Sequence, residues 1–363
     1  MRLAAFLLLA CVAGTSFAYE SGTVYQTTSN ALGSMEYRVH APPGLMGAVP
    51  LFVHIHGANI DVEDVAHQSR LDTLADQRGF VVVFPQEDPN HGNGIWDGDV
   101  AAKEGRDGRA TSLIAQITHE VMAAYPIDPR RVFVGGISAG STMAIVMAAQ
   151  YPDVYSGLQA EGGDRYGPIT VFEEQAGRDV FDAMGPRARR IPFMLSVGTL
   201  DPFGYTTRTN SVVGHWLIAH DWMDDGLRNN SVPMEPAATR TGFDGKNYSV
   251  DTYVDADGCV LAERWLIDGM THAYAGGDPA TIYDVTSDAN APNMREIAYD
   301  FFLDQTDADG PPGCTKSSAA QPVSGAGTAV EFSSGGSLGA EFLALFLSLG
   351  LLRTTKHSRR KVL

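Results

Sequence analysis

Residues 136–140 read Gly-Ile-Ser-Ala-Gly, and the stretches on either side of them constrain the fold. An apolar run, Arg-Val-Phe-Val-Gly, occupies 131–135, and an Ala/Met-rich run follows at 141–150. The order is strand, sharp turn, helix, with Ser138 at the tip of the turn. Such a turn is a nucleophile elbow: the glycines leave room where backbones crowd, and the serine hydroxyl is held exposed. The chain has 39 glycines, so the five-residue motif says little alone. The strand before it and the helix after it give it weight. The bland alternative is an ordinary strand-to-helix turn.

The same alternation runs through the body of the chain. Residues 49–56 read as a buried strand, 62–77 as a helix stopped by Gly79, and 80–84 as the next strand. A helix is expected over 109–125, with Leu113, Ile117, Val121 and Met122 on one face. Strand 131–135, helix 142–150, strand 192–197 and helix 212–224 follow. Residues 248–254 and 260–267 flank Asp255-Ala256-Asp257-Gly258, a hairpin signal. The last helix is expected over 294–304. Strands alternating with helices make a mostly parallel sheet covered on both faces. With an early strand around Tyr37-Arg38-Val39, the series fits one α/β domain over 19–306.

A serine hydroxyl is a weak nucleophile that needs a base within hydrogen-bond reach, usually a histidine oriented by a carboxylate. When the serine sits on an elbow, the acid and then the base follow it, each after a later strand. Gly198-Thr199-Leu200-Asp201-Pro202 comes directly after the strand ending at Val197, which puts Asp201 in the acid's place. An Asp before Pro is otherwise a common turn residue. Gly269-Met270-Thr271-His272-Ala273-Tyr274 follows the second hairpin strand and puts His272 in the base's place, against the alternative of a surface histidine. Of the 10 histidines, only His272 follows both Ser138 and Asp201 and stands directly after a strand. His215 and His220 fall in a helix, and His357 in a basic tail.

A tetrahedral intermediate needs preorganised N–H donors. One belongs to Ala139, after the nucleophile. The other belongs to the loop after the third strand, His54-Ile55-His56-Gly57-Ala58-Asn59, where Ala58 is the candidate. His54 and His56 alternate and could pair on a metal, but no third ligand suggests itself, so neither a metal nor a cofactor is expected. Trp96, in Gly94-Ile95-Trp96-Asp97, either lines a substrate cleft or packs on the surface. Gly162-Gly163 shapes the same cleft or is a plain turn. Asp307-Ala308-Asp309-Gly310 lacks an acid at Gln305 and a later Glu, so it reads as a turn and not a calcium loop.

A formal charge of −17 argues against nucleic acid or anionic lipid as partners. Residues 1–18 read as a signal peptide: Arg2, an apolar stretch, then Ser16-Phe17-Ala18 as the cleavage site. The competing reading is a lipobox, Leu8-Leu9-Ala10-Cys11. Both imply export, so a disulfide between the remaining cysteines, Cys259 and Cys314, is expected over two free thiols. Residues 307–336 have Gly/Ser-rich linker composition. Over 337–363 an apolar stretch runs into Arg353, Lys356, Arg359, Arg360 and Lys361. With the preceding Gly335-Gly336, this resembles the bacterial glycine-glycine C-terminal sorting signal, which implies removal by a sorting protease. A permanent anchor and an amphipathic end helix are the alternatives.

Together these residues resemble the polyhydroxybutyrate depolymerase and feruloyl esterase group of α/β-hydrolases. The resemblance is carried by the elbow through Ala144, by Gly198-Thr199-Leu200-Asp201, by Gly269-Met270-Thr271-His272-Ala273, and by a final helix with Arg295-Glu296-Ile297 and Phe301-Phe302. It covers about 35–305. It implies an α/β-hydrolase fold and a cofactor-free serine esterase using Ser138, Asp201 and His272. Polyhydroxyalkanoate oligomers or polysaccharide-linked acyl esters would be its substrates. Two features depart from the group: Ala58 stands where a cysteine is usual, and the Trp-rich loop is reduced to Trp96. The rival readings are a non-catalytic surface binding protein on a hydrolase scaffold and a serine peptidase.

Overall fold

A computed structural model describes residues 19–91, 94–279 and 286–306. The segments expected to be signal peptide, linker and sorting tail, and with them Cys11, Cys314, His357 and the Asp307–Asp309 turn, lie outside these residues. Among the described residues no helix is long and apolar enough to cross a membrane.

Ten strands make one sheet. In chain order they are β1 (Gly22–Asn30), β2 (Gly33–Ala41), β3 (Val49–Ile55), β4 (Val81–Gln86), β5 (Ile127–Ile137), β6 (Gly157–Glu161), β7 (Phe193–Gly198), β8 (Ala238–Asp244), β9 (Lys246–Val254) and β10 (Val260–Ile267). Their spatial order is β1-β2-β4-β3-β5-β6-β7-β10-β9-β8. The strands from β4 to β10 in that order pair in parallel. The antiparallel β1-β2 and β9-β8 ribbons extend the two ends. A short parallel pair, β11 (Tyr274–Ala275) with β12 (Ser287–Asp288), lies apart.

The helices are α1 (Val62–Ser69), α2 (Leu71–Arg78), α3 (Gly98–Glu104), α4 (Arg109–Ala124), α5 (Ala139–Gln150), α6 (Glu173–Met184), α7 (Tyr205–Asp225) and α8 (Met294–Thr306). Side chains of a strand alternate between faces, and the core divides accordingly. Leu51, Val53 and Ile55 of β3 join Leu113 and Ile117 of α4, Met143 of α5 and Trp216 of α7. Phe52, between them, faces the other way, with Val65 of α1, Leu74 of α2 and Tyr299 and Phe302 of α8. Helices on both faces of a parallel sheet explain why these strands read as unbroken apolar runs.

The expected helix over 62–77 is two helices. Arg70 takes a left-handed conformation (φ 60°) and serves as the C-cap of α1 and the N-cap of α2. The helix expected over 212–224 begins earlier, at Tyr205. β8 was not foreseen: almost all of it is exposed, so it carries no apolar alternation. Cys259, directly before β10, is disulfide-bonded, and the partner expected for it, Cys314, lies outside the described residues.

The elbow is packed backbone against backbone. A Cβ at Gly140 would stand 2.2 Å from the Ile55 carbonyl oxygen and 2.3 Å from that of His56. Gly140→Ala therefore pushes α5 off the end of β3. The expected cost is about 1–3 kcal/mol or more, read as a lower urea midpoint with an unchanged m-value.

Candidate active site

β5 runs into the elbow at Ile137, and α5 begins at Ala139. Ser138 between them has φ 58° and ψ −125°, a conformation costly for a residue with a Cβ. It is held by its own N–H, which donates to the Glu161 carbonyl at the end of the neighbouring β6 (2.9 Å). Asp201 stands in the turn after β7 and His272 in the loop after β10. The two loops are laced together: Leu200 N–H donates to Met270 O, and Gly269 N–H to Thr199 Oγ1, each at 2.9 Å. His272 Nδ1 thereby meets Asp201 Oδ2 at 2.7 Å.

The carboxylate beside Nδ1 fixes the proton there and leaves Nε2 with its lone pair. Nε2 is buried and has no hydrogen-bond partner among the described residues. Gly162, after β6, makes room for this pair. Its φ is +53°, and a Cβ would stand 3.0 Å from His272 Nδ1 and 3.4 Å from Asp201 Oδ2. This role for Gly162 replaces the plain-turn alternative.

Tyr205, the first residue of α7, spans the site. Its ring stacks on the His272 imidazole, with centroids 5.4 Å apart and planes at 28°. Burial dominates the electrostatics of its phenol, and the Ser138 side chain is among the groups that act on it. Sequence reasoning missed it: nothing in Phe203-Gly204-Tyr205 marks the tyrosine, and only folding brings it to the serine.

Ala139 opens α5, so its N–H is one of those that a helix N-terminus leaves without an internal partner. Ala58 lies in the turn after β3, and its N–H has no partner among the described residues. His56 braces that turn. Its Nδ1–H donates to Gly57 O at 2.6 Å, and its Nε2 accepts from Glu87 N–H at 3.0 Å. Burial lowers its pKa to about 4, so it is neutral. Trp96 is 3% exposed and lies 5.0 Å from the His56 ring, so it backs the turn and is not a surface residue. His54 turns elsewhere, to the Tyr274 hydroxyl (3.2 Å), and burial keeps it neutral too. Among the described residues no group of three or more His, Cys, Asp or Glu is placed to hold a metal.

Beneath the three loops lies an ion pair. Arg295 of α8 donates from Nη1 to both oxygens of Glu161, each at 3.0 Å, and the two residues are 0% and 2% exposed. Glu161 Oε2 also accepts from the N–H of Ala275, three residues beyond His272 (3.2 Å). Arg295 Nε reaches the Ser69 carbonyl at the α1–α2 break (3.0 Å).

A central parallel sheet with helices on both faces, a serine elbow after β5, and an acid–histidine pair after β7 and β10 define an α/β-hydrolase. Within that class the chain belongs to the esterase PHB depolymerase family, whose model matches residues 35–216. Poly(3-hydroxyalkanoate) depolymerase C of Paucimonas lemoignei is 28% identical over 69% of this chain and 60% of its own length. Feruloyl esterase B of Neurospora crassa is 31% identical over 43% of this chain and 52% of its own. The chain thus spans between half and two thirds of these relatives. Among solved structures, an acetyl xylan esterase from Aspergillus awamori superposes with a TM-score of 0.59, over 77% of this chain and 99% of its own, at 18% identity. That likeness is one of fold.

Removing one side of a buried ion pair strands the other charge. Arg295→Met should cost about 3–5 kcal/mol in urea unfolding, and Arg295→Met with Glu161→Gln should recover part of it. Four histidines are buried and held neutral by burial: His54, His56, His215 (about 3) and His220 (about 4). The unfolded chain protonates them near its ordinary value of about 6.5, so each stabilises the fold fully above that pH. The contribution is lost as pH falls toward 4, by up to about 1.4 kcal/mol per unit for each. The urea midpoint should therefore drop between pH 7 and pH 5, and an unchanged midpoint would contradict their neutral burial.

Proposed function

We propose that the protein is a serine hydrolase that cleaves carboxylic esters through an acyl-enzyme. The observation that carries this reading is the 2.7 Å His272–Asp201 contact, which leaves Nε2 unpaired. Both residues line one pocket with Ile137, which directly precedes Ser138. Ser138 Oγ attacks the ester carbonyl, and its proton passes to His272 Nε2. Asp201 orients the imidazole and stabilises the imidazolium. The N–H groups of Ala139 and Ala58 receive the oxyanion. His272 then protonates the departing alcohol, and a water activated by the same nitrogen frees the acid.

Esters attached to a polymer or its oligomers are the favoured substrate class: polyhydroxyalkanoate segments, or acyl groups on a polysaccharide. The relatives named above support this, since they include a polyhydroxyalkanoate depolymerase and a feruloyl esterase. In the same reading residues 1–18 direct export, 307–336 form a linker, and the tail over 337–363 is removed by a sorting protease. The apolar stretch and basic cluster of the sequence support that assignment.

A fluorophosphonate probe should label the wild-type protein and not Ser138→Ala. Ser138→Ala should lower kcat on an ester by about 10⁶-fold, and Asp201→Asn by about 10⁴-fold. The mature domain is tested on poly(3-hydroxybutyrate), methyl ferulate, acetylated xylan and a peptide. Turnover of at least one ester and none of the peptide is expected. No labelling of the wild type would point to a binding protein, and peptide cleavage alone to a peptidase.

A further inference from the structure

Tyr205 follows the acid Asp201 on the same connection and faces the other two members of the triad. Its ring is fixed on two sides. The His272 imidazole stacks on it, and the Arg208 guanidinium lies 4.8 Å from its centroid. Asp164 holds Arg208 in turn through a 3.0 Å ion pair. Phe203 approaches the imidazole edge-on at 4.7 Å and confines it further. A phenol braced this way presents its hydroxyl in one direction, and the Ser138 side chain is among the groups that act on it. In the unliganded site His272 Nε2 has no partner among the described residues.

Resting on the serine-hydrolase reading above, we propose that Tyr205 is a further catalytic residue, whose O–H engages Ser138 Oγ before substrate binds and the alkoxy oxygen of the ester during acylation. When substrate arrives, Ser138 turns toward His272. The Oγ–C bond forms as the Oγ proton moves to Nε2. As the intermediate collapses, the bond from carbon to alkoxy oxygen breaks, and the proton on Nε2 passes to that oxygen. The alkoxy oxygen must leave within reach of Nε2, on the side away from the Ala58 and Ala139 N–H groups. Tyr205, stacked on His272 and adjacent to Oγ, flanks that path. Its hydrogen bond stabilises the negative charge that builds on the departing oxygen, and its own proton stays in place. Burial raises the Tyr205 pKa, so at neutral pH the phenol is a donor and not a base.

This role makes the benefit depend on the alcohol. An alkyl alkoxide accumulates much charge before it is protonated, whereas 4-nitrophenolate leaves readily without help. Tyr205→Phe keeps the ring and removes only the hydroxyl. For the variant, kcat/KM on ethyl butyrate should fall by about 10–100-fold, the size of one lost donor in a transition state. On 4-nitrophenyl butyrate it should fall by only about threefold, with a thermal midpoint near that of wild type. A purely structural loss would lower both esters by the same factor. Equal losses, or none, overturn the proposal. Wild-type protein inert toward both esters and unlabelled by fluorophosphonate would instead overturn the functional reading beneath it.

Discussion

The ion pair between Arg295 and Glu161 is the interaction on which the arrangement of the site depends. Taking two charges out of water costs several kcal/mol per ion unless each finds close partners. Here both do. The Glu161 carboxylate accepts from Arg295, from Gln159 Nε2 at 2.8 Å and from the Ala275 N–H. Arg295 also binds the Ser69 carbonyl and lies over the Tyr274 ring at 5.3 Å. Glu161 works at both of its ends: the backbone carbonyl holds the serine elbow, and the side chain holds the histidine loop. One residue therefore ties the Ser138 elbow to the His272 loop. The left-handed Arg70 has its explanation here as well, since the break between α1 and α2 frees the Ser69 carbonyl for Arg295.

Around this anchor the site is built mostly from backbone and from neutral rings. His56 orders the turn bearing Ala58 by donating to Gly57 O and accepting at Nε2 from Glu87 N–H and Gln86 Nε2, and it carries no charge. Gly162 supplies the space in which His272 and Asp201 meet. The carboxylate of Asp201 is buried as well, and its other oxygen accepts from the Phe203 N–H at 2.9 Å. The Asx-type turn weighed as an alternative for this residue is therefore present too. The turn and the contact with His272 use different oxygens of the same side chain.

Much of this was legible in the sequence because the constraints are local. A serine held at positive φ between crowded backbones demands glycines two residues to either side, and 136–140 shows them. Asp201 and His272 stand directly after strands whose apolar runs are unmistakable. What escaped reading depends on tertiary contact. β8 is polar and exposed, so no periodicity betrays it. α6 is rich in Glu, Asp and Arg and buries only a narrow stripe of Ala176, Gly177, Val180 and Met184. Glu161 and Arg295 are 134 residues apart, and neither looks unusual until the chain has folded. Tyr205 lacks any motif, and its placement follows from where α7 begins.

The strands that deliver Ser138, Asp201 and His272 are β5, β7 and β10, with β6 between the first two. β10 joins β7 only after the whole of α7 and the β8-β9 ribbon have been made. Glu161 and Arg295, which lock the loops, meet later still in chain order, since α8 is the last described element. A nascent or clipped chain that ends before α8 would have Ser138, yet no Arg295 to pair with the Glu161 carboxylate that holds the His272 loop. On the proposed reading, reactivity belongs to the finished fold, and a partly synthesised copy lacks it.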